Sequence, residues 1–248
     1  MEHMCGRFVV SRAASDLVAL FDVDIEGAGL PEPSWNVAPT QRIPVIIDAV
    51  NRAAATDEDA PAVLRRLEPA RWGLVPAFAT EPTASAPLFN ARIESAAEKP
   101  AFREAVAARR AAIPASGYYE WLVAPDGGKT PQFVSSGDDE PILFAGLYEW
   151  WRNPAVAADD PARWLLSTTI LTRTGAGPLA SLHERMPVFL EPGLMEDWLD
   201  PRTTGDAVLL SEISLAAEEL AEDMVFHTVG AAVGTVGNDS PELVQPVD

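Results

Sequence analysis

The one cysteine, Cys5, stands in the run Met1-Glu2-His3-Met4-Cys5-Gly6-Arg7-Phe8. If translation starts at Met4 and that methionine is removed, Cys5 carries a free amine and a thiol on adjacent carbons. An aldehyde meeting such a residue forms a Schiff base with the amine, and the thiolate then closes a five-membered thiazolidine ring. The α-amine titrates near ~7.7–8.0, so roughly a tenth to a fifth of it is uncharged at neutral pH. A lysine, titrating near ~10.4, offers less than about a thousandth. The ordinary alternative is a small thiol buried near a chain end.

Three further segments hold groups able to assist such chemistry. In Leu88-Phe89-Asn90-Ala91-Arg92-Ile93-Glu94-Ser95, Asn90 offers both a donor and an acceptor, and Arg92 a fork suited to phosphate. An exposed loop before a capped helix would look the same. In Ser116-Gly117-Tyr118-Tyr119-Glu120-Trp121, three aromatic rings around Glu120 would desolvate it and raise its pKa toward that of a general acid–base group. A core strand with an edge glutamate is the competing reading. In Leu182-His183-Glu184-Arg185-Met186-Pro187, His183 can move a proton near neutral pH and Arg185 can grip a phosphate. A lone histidine is more often structural.

These residues need a scaffold, and 248 residues suffice to bury a full core. A content of 48% hydrophobic and 22% charged residues indicates a globular chain rather than a disordered one. No apolar run reaches the ~18 residues of a membrane helix, and the N-terminus lacks a signal-peptide layout, so the cytosol is expected. One cysteine excludes an internal disulfide framework, and three histidines without a second thiol argue against zinc. The net charge of −19 opposes a nucleic-acid role, because such proteins usually present a basic surface. Its 18 basic residues are 16 arginines plus Lys99 and Lys129. With a Debye length of about 8 Å, distant acids would be screened at a groove lined by a few arginines.

The 22 prolines predict many short elements joined by irregular loops. Periodicity predicts helices at 11–21 and 211–223, and a capping box of Ser95 and Glu98 starts another that runs to about Arg110. Strands are expected at 43–50, 63–67, 111–114, 118–123, 131–134, 142–147, 164–171 and 224–227. The segment 51–61 reads as a polar connection. The pattern is α+β around a mixed or antiparallel sheet, in one domain.

In order along the chain stand Met4-Cys5-Gly6-Arg7-Phe8, Trp35-Asn36-Val37-Ala38-Pro39-Thr40-Gln41, Arg71-Trp72-Gly73-Leu74-Val75-Pro76 and Asn90-Ala91-Arg92. Ile113 to Trp121, Phe144-Ala145-Gly146-Leu147-Tyr148 and His183-Glu184-Arg185-Met186-Pro187 follow. This series strongly resembles the SRAP family (SOS-response-associated peptidases, also called abasic-site processing proteins) from about Met4 to Val247. The resemblance implies a single compact SRAP-like domain with a β-rich core and a few flanking helices. It also implies a positively charged groove for single-stranded DNA and a thiazolidine crosslink between the N-terminal cysteine and an abasic sugar. Carried over by position, Cys5 would be the nucleophile and Asn90 would hold the terminal amine and the sugar. Glu120 would be the acid–base for the Schiff base, and His183 would assist sugar ring opening. Arg7, Arg92 and Arg185 would bind flanking phosphates. Trp72 and Pro39 would stack on bases or hold the strand open, and Trp121 would line the site. No cofactor or metal is implied, the partner is single-stranded DNA containing abasic sites, and a cytoplasmic, nucleoid-associated monomer is expected.

One departure bears on all of this. The family begins Met-Cys, whereas three residues precede that pair here. Residues 1–4 are therefore expected to be a leader or a start-site extension, with the SRAP domain at 5–248. Two rival functions stay open: a cysteine peptidase using Cys5 and His183, with its own leader as one candidate substrate, and a non-catalytic reader of single-stranded or modified DNA.

Overall fold

Runs of β-branched and aromatic residues, broken by proline and glycine, make strands the commonest regular element of this chain. The computed structural model describes residues 6–57, 59–82, 88–138 and 140–247. In chain order the strands are β1 (Arg7–Val10), β2 (Ile25–Glu26), β3 (Ser34–Val37), β4 (Arg42–Val50), β5 (Val63–Trp72) and β6 (Asn90–Arg92). They continue with β7 (Arg110–Ala115), β8 (Gly117–Val123), β9 (Lys129–Ser135), β10 (Ile142–Arg152), β11 (Trp164–Thr174), β12 (Arg185–Pro187) and β13 (Val225–Thr228). The helices are α1 (Ala14–Leu20), α2 (Ile93–Ala96), α3 (Arg103–Ala108), α4 (Met195–Leu199) and α5 (Ala207–Ala221).

The larger sheet runs β12-β11-β10-β7-β4-β5-β2. It curls until β5 meets β11 in parallel, with Arg71 opposite Ser167 and Trp72 opposite Thr168. The strands β4, β5, β11, β10 and β7 thereby form a barrel-like ring, which removes the edges an open sheet would expose. A second, antiparallel sheet, β13-β9-β8-β1-β3, lies against it. Phe8 of β1 and Tyr118 of β8 pack their rings on Phe144 of β10, with centroids 6.0 Å apart in both cases. The outer face of this sheet holds a smaller cluster, Val9, Tyr119 and Phe133, covered by Val229, Val233 and Leu243 of the C-terminal segment.

The expected α+β domain with a mixed, β-rich core is the fold observed. Most expected strands lengthen, because barrel pairing continues past the local pattern: 63–67 grows to β5 and 142–147 to β10. The helix expected from Ser95 to Arg110 is broken in two. Glu98 N–H donates to the Ser95 carbonyl at 3.2 Å as a turn, and α3 starts at Arg103, its N-cap Phe102 giving no side-chain cap. Pro100 disfavours helical backbone at Lys99, which accounts for the interruption. By contrast α5 is properly capped, with Asp206 accepting from Val208 N and Leu209 N. It begins four residues ahead of the expected 211.

Gly117 opens β8 with φ +156°, and a methyl group there would strike the Phe133 ring and the Val134 carbonyl. Gly117→Ala is therefore expected to cost about 3 kcal/mol through overpacking. Urea unfolding checks this, and an unchanged midpoint would show that β9 yields freely.

Candidate functional site

The end of β11 gathers the polar residues. In parallel register, Asn90 lies opposite Ile170 and Arg92 opposite Thr172, while antiparallel pairing sets Arg185 opposite Thr174. His183 sits in the turn just before β12. Its Nδ1 lies 3.0 Å from the Arg185 backbone nitrogen and 3.1 Å from the Arg185 carbonyl oxygen, which fixes the ring against β12. Arg92 is exposed. Arg185 is not: its side chain is 9% exposed, and its guanidinium donates to Glu94 Oε1 at 2.5 Å and Oε2 at 2.9 Å. Burial, the largest single influence, would raise the Glu94 pKa, but the hydrogen bond from Arg185, the Glu94 backbone and the charges of Arg185 and Arg92 together hold the carboxyl below its ordinary value.

Glu120 comes from the other sheet. Its register opposite Gln132 leaves it 2% exposed, and its Oε1 accepts the Trp121 N–H at 3.1 Å. The pairing of Arg7 with Tyr119 puts the N-terminal end of β1 beside this stretch of β8. Cys5 itself lies outside the described residues.

Trp72 joins the two halves. Its ring packs edge-on against Phe8 at 4.9 Å and Phe89 at 5.8 Å, and its indole N–H donates to the Phe89 carbonyl at 2.9 Å. It thus links β1 to the residue preceding Asn90. This corrects an expectation: Trp72 is 0% exposed and has no face to offer a base. Pro39 borders it, half-buried, in a turn tied down by Thr40 N–H to the Trp72 carbonyl at 2.7 Å. The exposed aromatic of the same segment is Phe78, at 69%. From the barrel side Trp151 Nε1 donates to the carbonyl of Ala79, next to Phe78, at 2.8 Å, and Ser167 Oγ accepts the Val75 N–H at 2.9 Å. Composition offered no signal to prefer Phe78 over Trp72, since burial separates them.

Two more expectations change. Period-two alternation sends Tyr118 and Glu120 to one face of β8 and Tyr119 and Trp121 to the other. Trp121 accordingly packs on the outer cluster with Trp35 and Val244, not beside Glu120. Arg7, expected on phosphate, is committed to the C-terminal segment: it bonds Asn36 Oδ1 at 2.8 Å, the Val233 carbonyl at 2.9 Å and the Gly234 carbonyl at 3.3 Å. Asn36, 1% exposed, completes this clamp by donating to the carbonyls of Val233, Thr235 and Asn238. Tyr119 adds a bond to the Trp35 carbonyl at 2.8 Å, and its burial raises the phenol pKa. The motif Trp35–Gln41 was legible as a pattern, but its clamp was not, because the partners lie some two hundred residues away.

Among the described residues no cluster of three or more His, Cys, Asp and Glu is placed to hold a metal ion. No helix among them is long and apolar enough to cross a membrane.

A β-barrel-like domain backed by a second sheet, with an amide, an imidazole and two arginines converging at one strand end, defines a single-domain scaffold built around a small polar site. The chain belongs to the SRAP family: the family model described as SOS response associated peptidase matches residues 4–236. It is 34% identical to the abasic site processing protein YoqW of Bacillus subtilis, over 98% of this chain and 99% of the relative. Against the abasic site processing protein YedK of Escherichia coli it is 32% identical, over 98% and 100%. Against the abasic site processing protein HMCES of Gallus gallus it is 28% identical, over 99% and 78%. Solved structures share the fold: a Bacteroides thetaiotaomicron protein has a TM-score of 0.72 at 20% identity, covering 98% of this chain and 100% of that one. A Bordetella bronchiseptica protein has a TM-score of 0.70 at 24% identity, covering 91% and 100%.

Proposed function

We propose that this chain, in a form beginning at Cys5, captures abasic sites in single-stranded DNA as a thiazolidine. Residues 1–4 are then a leader or start extension that the acting form lacks, and the action takes place on the nucleoid in the cytoplasm. The observation that carries the proposal is the pairing of Arg7 with Tyr119, which sets the N-terminal end of β1 beside the Glu120 stretch of β8. Trp72 ties the same strand to the segment holding Asn90. Full-length similarity to relatives named for abasic site processing supplies the substrate class.

The chemistry balances without a cofactor. The Cys5 amine adds to the aldehyde carbon of the opened sugar, and Glu120 protonates the departing hydroxyl, so one water leaves and an imine remains. The Cys5 thiolate then adds to the imine carbon, and nitrogen regains a proton as the ring closes. Asn90 orients the amine by hydrogen bonds, and His183 transfers the proton that opens the sugar ring. Arg92, exposed at the end of β6, holds a flanking phosphate. The test is intact mass after mixing with an oligonucleotide carrying one abasic site. A product equal to protein plus oligonucleotide minus water supports the reading, and unreacted protein after prolonged incubation sinks it.

Stacking falls to Phe78 rather than Trp72, on exposure. Phe78→Ala should weaken binding of single-stranded DNA by about 1–3 kcal/mol, one base stack, while leaving the melting temperature unchanged. Fluorescence anisotropy checks this, and equal affinities would remove Phe78 from the interface.

The family description as a peptidase supports a second reading, in which Cys5 and His183 release the leader by cutting before Cys5. Mass spectrometry of a His183→Ala chain separates the two: retention of residues 1–4 in that variant alone favours self-cleavage.

A further inference from the structure

Arg185 is expected to grip a phosphate, yet its fork is already filled. Nη1 and Nη2 donate to the two Glu94 oxygens at 2.5 and 2.9 Å. A phosphate diester, with two non-bridging oxygens, would accept the same parallel pair of bonds. Nη2 also donates to the Thr172 carbonyl at 2.6 Å, so the guanidinium has an anchor independent of Glu94. The partners are unequally held: the Arg185 side chain is 9% exposed and that of Glu94 is 48%. Glu94 has room to move. A cleft of about 290 Å³ opens between α2 and α5, lined by Glu94 with Ile93, Ala97, Ser211, Ser214 and Leu215. Its two serine hydroxyls can donate to a carboxylate turned that way.

We propose that Glu94 sets the selectivity of the site by standing in for a DNA phosphate on Arg185. It gives way into the α2–α5 cleft when a captured strand presses its own phosphate there. This rests on the reading that the chain binds single-stranded DNA. An intact strand must break a two-bond ion pair to gain one phosphate contact, so it binds weakly. A strand already tethered at Cys5 presents its phosphate at high effective concentration and displaces the carboxylate. Once Glu94 has moved, Arg92 and Arg185 stand together at the end of β11 as an uncompensated pair. The acidic chain thereby avoids holding undamaged DNA.

The experiment compares wild type with Glu94→Gln, which keeps the side chain's size and removes its charge. Affinity for an undamaged oligothymidine is read by anisotropy across a salt series. We expect Glu94→Gln to bind about tenfold tighter, the scale of one charge-assisted bond. Its log–log salt slope should steepen by about 0.7, one more phosphate neutralised on a single strand. The gain should vanish in Glu94→Gln/Arg185→Gln. Unchanged affinity and slope in Glu94→Gln, or a gain that survives loss of Arg185, overturns the proposal. If thermal melting shows Glu94→Gln unfolded, Glu94→Asp replaces it: the shorter acid cannot span both nitrogens, so a smaller gain in the same direction is expected and none overturns the idea. Failure of the underlying reading looks different, because wild type would then bind no single-stranded DNA even at low salt.

Discussion

Cys5→Ala, in a chain that begins at residue 5, will form no heat-resistant adduct with abasic single-stranded DNA. Alanine keeps the terminal amine, so the Schiff base still forms and borohydride reduction still traps it. What is lost is the second bond. Without a thiolate the imine reverts by hydrolysis, and the heat-stable species should fall below detection rather than by a modest factor. The pair of readings, borohydride-dependent in the variant and borohydride-independent in the parent, separates ring closure from amine capture. Because Trp72 braces β1, the neighbour of the Glu120 strand, to the segment leading into Asn90, DNA affinity should change little. A heat-stable band of undiminished yield in Cys5→Ala would leave the thiazolidine without its sulfur and end the proposal.

The second large effect concerns where the chain begins. A protein retaining Met1 has Cys5 joined through an amide to Met4, so its nitrogen is no longer basic or nucleophilic. Adduct formation should then be absent, while the same protein starting at Cys5 reacts. Between about pH 6 and 8 the reacting form's rate should climb with the uncharged fraction of an α-amine titrating near ~7.7–8.0. A lysine-based reaction would keep rising until about pH 10. Identical yields from the two starts, with identical pH profiles, would show that some other amine attacks. The measurement needs only purified protein of known N-terminal mass.

The candidate site residues were legible in the sequence. Cys5, Asn90, Glu120 and His183 stood out because few side chains combine nucleophile, amide, carboxylate and imidazole chemistry, and the motifs around them keep a fixed order. Local alternation also foretold the central strands, since a period of two needs no knowledge of partners. It even contained the division of Glu120 from Trp121, one residue apart and so on opposite faces of β8.

The fate of the arginines and tryptophans could not be read this way. Whether Trp72 faces a base or a core depends on closure of β5 onto β11, a pairing between residues nearly a hundred positions apart. Arg7 turned out to clamp the C-terminal segment through contacts 226 and 227 residues distant, and Arg185 to face Glu94 across 91. The helix expected from Ser95 was interrupted at Lys99–Pro100, where backbone restriction overrode a capping pattern. From its residues alone, then, this chain specifies its candidate reactive groups and many of its strands, because both are local properties of side chains and their spacing. The tertiary structure decides which charges remain open to a substrate and which aromatic ring meets solvent, because burial and ion pairing are settled only when distant strands close the barrel.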